Sequence, residues 1–135
     1  MAEDHSVEHH RGSCLCGAVR FETTGKLGRV SYCHCTQCRK QSGHHYAATN
    51  VVDDALHIDG AENITWYASS EKARRGFCRT CGSVLFWKHD EVDYTSIMAG
   101  SFDQPTGLHG KRHIFVSDKG DYYSINDELP QYPQG

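Results

Sequence analysis

The stretch Cys33-His34-Cys35-Thr36-Gln37-Cys38 places three cysteines within six residues. Two further pairs lie far from it along the chain, in Cys14-Leu-Cys16 and in Cys78-Arg-Thr-Cys81. Cysteines spaced this closely on a turn can deliver their sulfur atoms to one zinc ion, at about 2.3 Å. We therefore expect the fold to be organised around zinc.

The seven cysteines divide most simply into a set of three and a set of four. Four thiolates close a tetrahedral zinc, which is typical of structural sites, whereas three leave a position open for water or substrate. The sequence thus predicts two zinc ions per chain, one structural and one in an open site. The predicted ligands are Cys14, Cys16, Cys78 and Cys81 for the structural ion, and Cys33, Cys35 and Cys38, which are also the predicted catalytic residues, for the open one.

Spacing alone leaves other arrangements of the cysteines open. Cys35 and Cys38 could join Cys78 and Cys81 in a zinc-ribbon-like site. Cys78-x-x-Cys81 could also be a thioredoxin-like redox motif, although that motif belongs at the start of a helix in a βαβ unit. An odd number of cysteines argues against a closed disulfide framework.

The composition restricts the class of protein. A chain of 135 residues suits one domain, and a net charge of −3 argues against a nucleic-acid partner. Residues Met1–His10 lack the apolar region of a secretory signal, and no run approaches the length of a membrane span. We therefore expect a cytoplasmic protein that binds neither nucleic acid nor a membrane.

Short runs rich in β-branched and aromatic residues recur along the chain, with glycines between them. They predict strands at Ala18–Glu22, Arg29–Cys33, Tyr46–Val52, Leu56–Asp59, Ile64–Ala68, Ser83–Trp87, Tyr94–Met98, His113–Val116 and Tyr122–Ile125. One helical turn is predicted at Thr36–Ser42, ended by Gly43. We expect a single, mainly β, antiparallel domain over residues 12–135, preceded by a flexible tail over residues 1–11.

Three segments resemble motifs of the glutathione-dependent formaldehyde-activating enzyme (GFA) family. They are Gly12-Ser-Cys-Leu-Cys-Gly-Ala-Val-Arg-Phe21, Cys33-His-Cys-Thr-Gln-Cys-Arg-Lys-Gln-Ser-Gly43 and Arg74-Arg-Gly-Phe-Cys-Arg-Thr-Cys-Gly-Ser83. The resemblance implies coiled antiparallel sheets of the β-tent type and the same four-plus-three division of the cysteines. It also implies a carbon–sulfur lyase-like activity, in which the glutathione thiol adds to formaldehyde to give S-hydroxymethylglutathione.

The resemblance leaves other functions open. The family includes centromere protein V, which is associated with chromatin, so the chain could instead be a non-catalytic zinc scaffold or a thiol carrier that binds a partner. A third hypothesis is a redox or metal-handling role, in which Cys33, Cys35 and Cys38 release zinc on oxidation.

Residues beside the cysteines are candidates for supporting roles. Arg39 and Lys40 could offset the negative charge of three thiolates on zinc and attract a carboxylate-bearing thiol such as glutathione. The other candidates are His34 as a proton shuttle and His44 and His45 as a fourth ligand. Gln37 and Ser42 could hydrogen-bond a substrate or cap the helical turn.

Three adjacent pairs complete the predictions. Phe86 and Trp87 should point to opposite faces of a strand, one into the core and the other towards a pocket or an interface. The pair Arg74-Arg75 could bind an acidic ligand but is more typical of a solvated strand edge, and Tyr122-Tyr123 is typical of a strand.

Overall fold

The computed structural model describes residues 8–135, which form mainly β-structure. The strands are β1 (His9–Ser13), β2 (Arg20–Thr24), β3 (Val30–Cys33), β4 (Tyr46–Val52), β5 (Leu56–Asp59), β6 (Ile64–Ala68), β7 (Ala73–Cys78), β8 (Val84–His89), β9 (Tyr94–Met98) and β10 (Gly110–Ile114). One α-helix, α1 (Thr36–Ser42), lies between β3 and β4 in this part of the chain. The mainly β class and the position of the helix are confirmed.

The strands form two sheets. The smaller sheet has the order β1-β2-β5, and the larger has the order β10-β3-β4-β9-β8-β7-β6. Neighbouring strands are antiparallel except β10 and β3, which run parallel with Ile114 opposite Cys33. The prediction of a wholly antiparallel domain is wrong at this edge. Since six strands intervene along the chain between β3 and β10, no hairpin forces the two into opposite directions.

The core lies between the two sheets. Phe21 of β2 packs edge-on against Phe86 of β8, with ring centroids 5.7 Å apart, and against Phe102 at 5.2 Å. Val51 and Ile97 of the larger sheet belong to the same buried cluster. A Cβ atom at Gly12 of β1 would lie 2.4 Å from the Phe21 ring, so this crossing requires glycine.

The strand predictions fail at three places. Tyr122–Ile125 forms a turn and loop, because its tyrosine rings pack on histidines instead of extending a sheet. Strand β7 was not predicted, and neither was β1. Since β1 begins at His9, residues 9–11 belong to the smaller sheet and not to the predicted tail, while residues 1–7 lie outside the described part.

None of the helices in the described residues is long and apolar enough to cross a membrane.

Candidate metal centres and the adjoining cavity

A four-cysteine cluster lies at the end of the core. Its members follow β1, end β7 or precede β8, and all four Sγ atoms lie within 4.8 Å of one another: Cys14, Cys16, Cys78 and Cys81. The Sγ separations are 3.7 Å for Cys14–Cys16 and 3.8 Å for Cys16–Cys78. A tetrahedral zinc with sulfur ligands at about 2.3 Å spaces them about 3.8 Å apart. The donor set therefore fits a closed zinc site.

Backbone amides support the sulfur atoms of this cluster. The N–H groups of Thr80 and Cys81 donate to Cys78 Sγ at 3.4 and 3.5 Å. The Gly82 N–H bonds the Cys78 carbonyl at 2.8 Å, and its φ of 79° suits glycine. Hydrogen bonds from the Ser83 side chain and backbone lower the pKa of Cys81 to about 5. The Ser83 donors favour the thiolate form of Cys81, which is the form that binds a metal ion.

A three-cysteine cluster forms where β3 meets α1. Cys33 ends β3, Cys35 is the N-cap of α1, and Cys38 lies in its first turn. The Cys38 N–H donates to Cys35 Sγ at 3.3 Å, and all three Sγ atoms lie within 4.8 Å of one another. Hydrogen bonds with Cys33 and Cys38 lower the pKa of Cys35 to about 2. Three converging sulfurs fit a zinc ion with one fewer protein ligand than the closed site has.

The two clusters are separate, as the four-plus-three division predicts. A zinc-ribbon-like site would need Cys35 and Cys38 beside Cys78 and Cys81, but these pairs belong to different clusters. A thioredoxin-like motif would need a helix after Cys81, and strand β8 follows instead.

A cavity of about 610 Å³ lies against the three-cysteine cluster. Its floor is one face of the larger sheet, since side chains at alternate strand positions point to the same side. One row across this floor is Asn50, Ser96, Trp87 and Arg75, which lie opposite one another on β4, β9, β8 and β7. Phe86 is fully buried in the core, as expected from the alternation.

Arg75 is the most important residue that the sequence prediction assigned wrongly. It was predicted at a solvated edge, yet it is 5% exposed and lines the cavity. Its Nη1 donates to Cys38 Sγ at 3.5 Å. Burial alone would lower the pKa of Arg75, but the hydrogen bond to Cys38 and the negative charge there raise it. Its neighbour Arg74 is half-buried, does not line the cavity and pairs with Asp90 at 3.1 Å. Strand β7 has a partner strand on each side, so the predicted strand edge is wrong for both arginines.

The cationic side chains that face the cavity differ from those predicted. Arg39 and Lys40 do not line it, whereas Arg75 and Arg112 do. Arg112 on β10 lies opposite Ser31 and donates from Nε to the Ser31 hydroxyl at 3.2 Å. It forms no ion pair with a carboxylate of residues 8–135.

The smaller polar candidates have separate places. Gln37 lines the cavity, which is the location that a substrate contact would require. Ser42 instead donates to the Cys38 carbonyl at 2.7 Å within the helix. Neither His44 nor His45 joins the three-cysteine cluster, so neither is placed as a fourth ligand.

His34 points away from the cavity, although it lies between two of the clustered cysteines. It is 1% exposed, contacts the Tyr123 hydroxyl and shares a 2.8 Å hydrogen bond with His113. The second ring nitrogen of His113 lies 2.9 Å from an Asp127 carboxylate oxygen. Burial and the neighbouring histidines lower the pKa of His34 to about 4. This buried network holds the Cys33–Cys35 loop against the C-terminal segment, and none of its four residues lines the cavity.

Residues 9–118 match a family model described as glutathione-dependent formaldehyde-activating enzyme, or GFA. The chain belongs to the GFA family. An uncharacterized lyase of Schizosaccharomyces pombe is 31% identical over 127 residues, which cover 93% of this chain and 92% of that protein. The resemblance identified from the three cysteine motifs is thereby confirmed.

Two further proteins are similar over most of the chain. A Halomonas elongata protein named "Putative glutathione-dependent formaldehyde-activating enzyme" is 31% identical over 125 residues, covering 84% of this chain and 79% of that protein. The crystal structure of a Rhodobacter sphaeroides protein superposes with a TM-score of 0.61 and 26% identity, covering 72% of this chain and 91% of that one.

Proposed function

We propose that this chain is a zinc-dependent, carbon–sulfur lyase-like enzyme that acts on adducts of a small thiol and an aldehyde. The supporting observation is that Cys33, Cys35 and Cys38 all line the 610 Å³ cavity, whereas no member of the four-cysteine cluster does. Reactive metal sites need access to substrate, and structural sites do not. The names of the family and of the two relatives, one a lyase, support the reaction class.

Two zinc ions per chain are part of the proposal, because each cluster offers the sulfur donors that zinc prefers. Cys14, Cys16, Cys78 and Cys81 would hold the structural ion, and the cavity cysteines would hold the second. Zinc in the cavity would act as a Lewis acid and favour the thiolate form of a substrate thiol. In this proposal the zinc domain comprises residues 12–135 together with the start of β1. It belongs in a reducing compartment such as the cytoplasm, where cysteines remain thiols.

The protein's own residues bind and orient the two reactants in the cavity. The Trp87 ring gives an apolar wall that excludes water from the reacting carbon. Asn50 and Ser96, which are joined by a 2.7 Å hydrogen bond, add polar groups to the same cavity. In the addition, a sulfur–carbon bond forms, the carbonyl double bond breaks, and the thiol proton ends on the oxygen. The lyase direction reverses these changes.

Arg112 is the proposed anchor for a carboxylate of the thiol, which makes glutathione a suitable partner. The guanidinium faces the cavity from the strand next to Cys33, and one of its five N–H donors is used by Ser31. We expect Arg112→Gln to weaken glutathione binding roughly 10- to 100-fold, since charged hydrogen bonds contribute about 1.5–3 kcal/mol. Calorimetric titration measures this effect, with the exposed neighbour variant Lys111→Gln as control. Equal weakening in both variants would remove Arg112 from this role.

The activity is tested by exchange spectroscopy with ¹³C-formaldehyde and glutathione. We expect catalytic amounts of the zinc-loaded protein to accelerate exchange between free formaldehyde and the adduct, and Cys38→Ser to abolish the acceleration. Lys111→Gln should retain it. The exchange rate is compared with that of a protein-free solution, first with glutathione and then with other small thiols. If the wild-type protein accelerates exchange with none of them, the reaction class is wrong and the non-catalytic scaffold is favoured.

A further inference from the structure

We propose that Arg75 is a positioning residue that supplies the fixed positive charge of the three-cysteine site. This inference rests on the proposed zinc site but not on the lyase reaction. It replaces Arg39 and Lys40, which the sequence suggested for the same purpose, with a residue that contacts a sulfur atom directly.

The surroundings of Arg75 leave its charge without a carboxylate. Apart from Cys38, its guanidinium hydrogen-bonds only neutral amides, with Nη2 3.1 Å from Gln37 Oε1 and Nη1 3.4 Å from Gln41 Oε1. The guanidinium also lies 4.9 Å from the centroid of the Tyr46 ring. No carboxylate of residues 8–135 forms an ion pair with Arg75.

A buried cation without a counter-ion is costly, so the anion must come from the site itself. Three thiolates and one divalent metal ion carry a single net negative charge. Arg75 carries a single positive charge, and its Nη1 lies 3.5 Å from Cys38 Sγ. The loaded three-cysteine site and Arg75 together are therefore electrically neutral. The positive charge of Arg75 and the negative charge of the loaded site compensate each other. The apolar part of the cavity wall offers a counter-ion to neither.

The two glutamines hold Arg75 in place without neutralising it. Gln41 Oε1 accepts hydrogen bonds from both the Tyr46 hydroxyl and Arg75. Gln37 Oε1 accepts another hydrogen bond from Arg75. A carboxylate at position 41 would keep this geometry but would compete with the sulfurs for the positive charge. The variant Gln41→Glu thus separates the charge of Arg75 from its function as an anchor for α1.

The test is a competition between a chromophoric chelator and zinc-loaded protein under reducing conditions. We expect Arg75→Gln to weaken the binding of one of the two zinc ions roughly 10- to 100-fold, the range that is typical when a partner of a metal ligand is removed. The second ion, held by the four-cysteine cluster, is the internal reference. Arg75→Lys should restore most of the affinity, and Arg74→Gln, at the neighbour that does not line the cavity, should match wild type.

Gln41→Glu should weaken the same ion without lowering the melting temperature of protein that holds zinc only in the four-cysteine cluster. The proposal is overturned if Arg75→Gln and Gln41→Glu bind both ions as tightly as wild type, or if Arg75→Lys loses as much affinity as Arg75→Gln. If Arg75→Gln does not fold, Arg75→Lys and Gln41→Glu decide the question. If the Arg75 and Gln41 variants change zinc affinity as expected but the wild-type protein does not accelerate adduct exchange, the lyase reaction is refuted and this inference stands.

Discussion

Cys78 joins two distant parts of the chain at a single point. It is fully buried where β7 ends, belongs to the core between the sheets, and shares its cluster with Cys14 and Cys16 near the N-terminus. Cys38, by contrast, lies on α1 at the cavity wall. Metal binding at a site that closes a long loop contributes directly to the free energy of folding.

We expect Cys78→Ser to unfold the zinc-loaded domain and Cys38→Ser to leave it folded. The serine at position 78 would lose a metal ligand inside the core, whereas the change at position 38 would affect a site at the edge of the cavity. Thermal melts followed by circular dichroism measure the difference. Equal melting temperatures of the two variants would show that the structural site is assigned to the wrong cluster.

Residue identity predicted the two cysteine clusters better than it predicted their surroundings. Short cysteine spacings limit which sulfurs can share an ion, so the two clusters could be predicted. The burial of Arg75 could not, because Arg74 and Arg75 are identical in type and only pairing on both sides of β7 decides which one faces the cavity. The period-two alternation was a usable signal once β7 was known.

The β8–β9 hairpin is fixed by a half-buried lysine. Lys88 Nζ donates to Asp53 Oδ2 at 2.8 Å, to the Tyr94 carbonyl at 3.1 Å and to the Val92 carbonyl. Burial would raise the pKa of Asp53, but hydrogen bonds from Lys88 and Thr95 lower it. The pair is therefore fully formed above the ordinary pKa of Asp53 and is lost as the pH falls through the lowered value.

We expect Lys88→Met to reduce the free energy of unfolding by about 1–3 kcal/mol, because it leaves three acceptors without their donor. Lys72→Met is the matched control. Lys72 pairs with Glu91 at 2.6 Å on an exposed surface, where such pairs contribute about 0–1 kcal/mol. Urea denaturation at neutral pH compares the two, and a larger loss in Lys72→Met would contradict this explanation of the hairpin.

At the level of elements, strands with strong β propensity were predictable and strands formed by their context were not. Tyr46–Val52, Leu56–Asp59, Ile64–Ala68 and Tyr94–Met98 have the bounds that composition predicts. Strand β7 contains the sequence Arg-Arg-Gly and is a strand because β6 and β8 pair with it on both sides. The parallel direction of β10 depends on a connection whose course local sequence does not encode.

In the whole molecule, the two cysteine clusters lie in different environments, one in the core and the other at the cavity. The four-cysteine cluster includes the buried Cys14 and Cys78 and packs with the core, whereas the three-cysteine cluster opens on the cavity face of the larger sheet. The sequence predicted both donor sets, but the shape of the cavity arises from six strands that are distant along the chain. For the same reason, Arg112 could not be recognised as a cavity residue before the fold was known.

The central claim, a closed structural zinc site beside an open reactive one, is tested most directly by stepwise metal removal with mass-spectrometric mapping of alkylated cysteines. We expect two zinc ions per chain. The first to leave under increasing chelator should expose Cys33, Cys35 and Cys38 to alkylation while the protein stays folded, because three ligands at a cavity hold a metal less tightly than four in a core. The account is contradicted if the protein holds fewer than two ions, or if Cys14, Cys16, Cys78 and Cys81 are alkylated first.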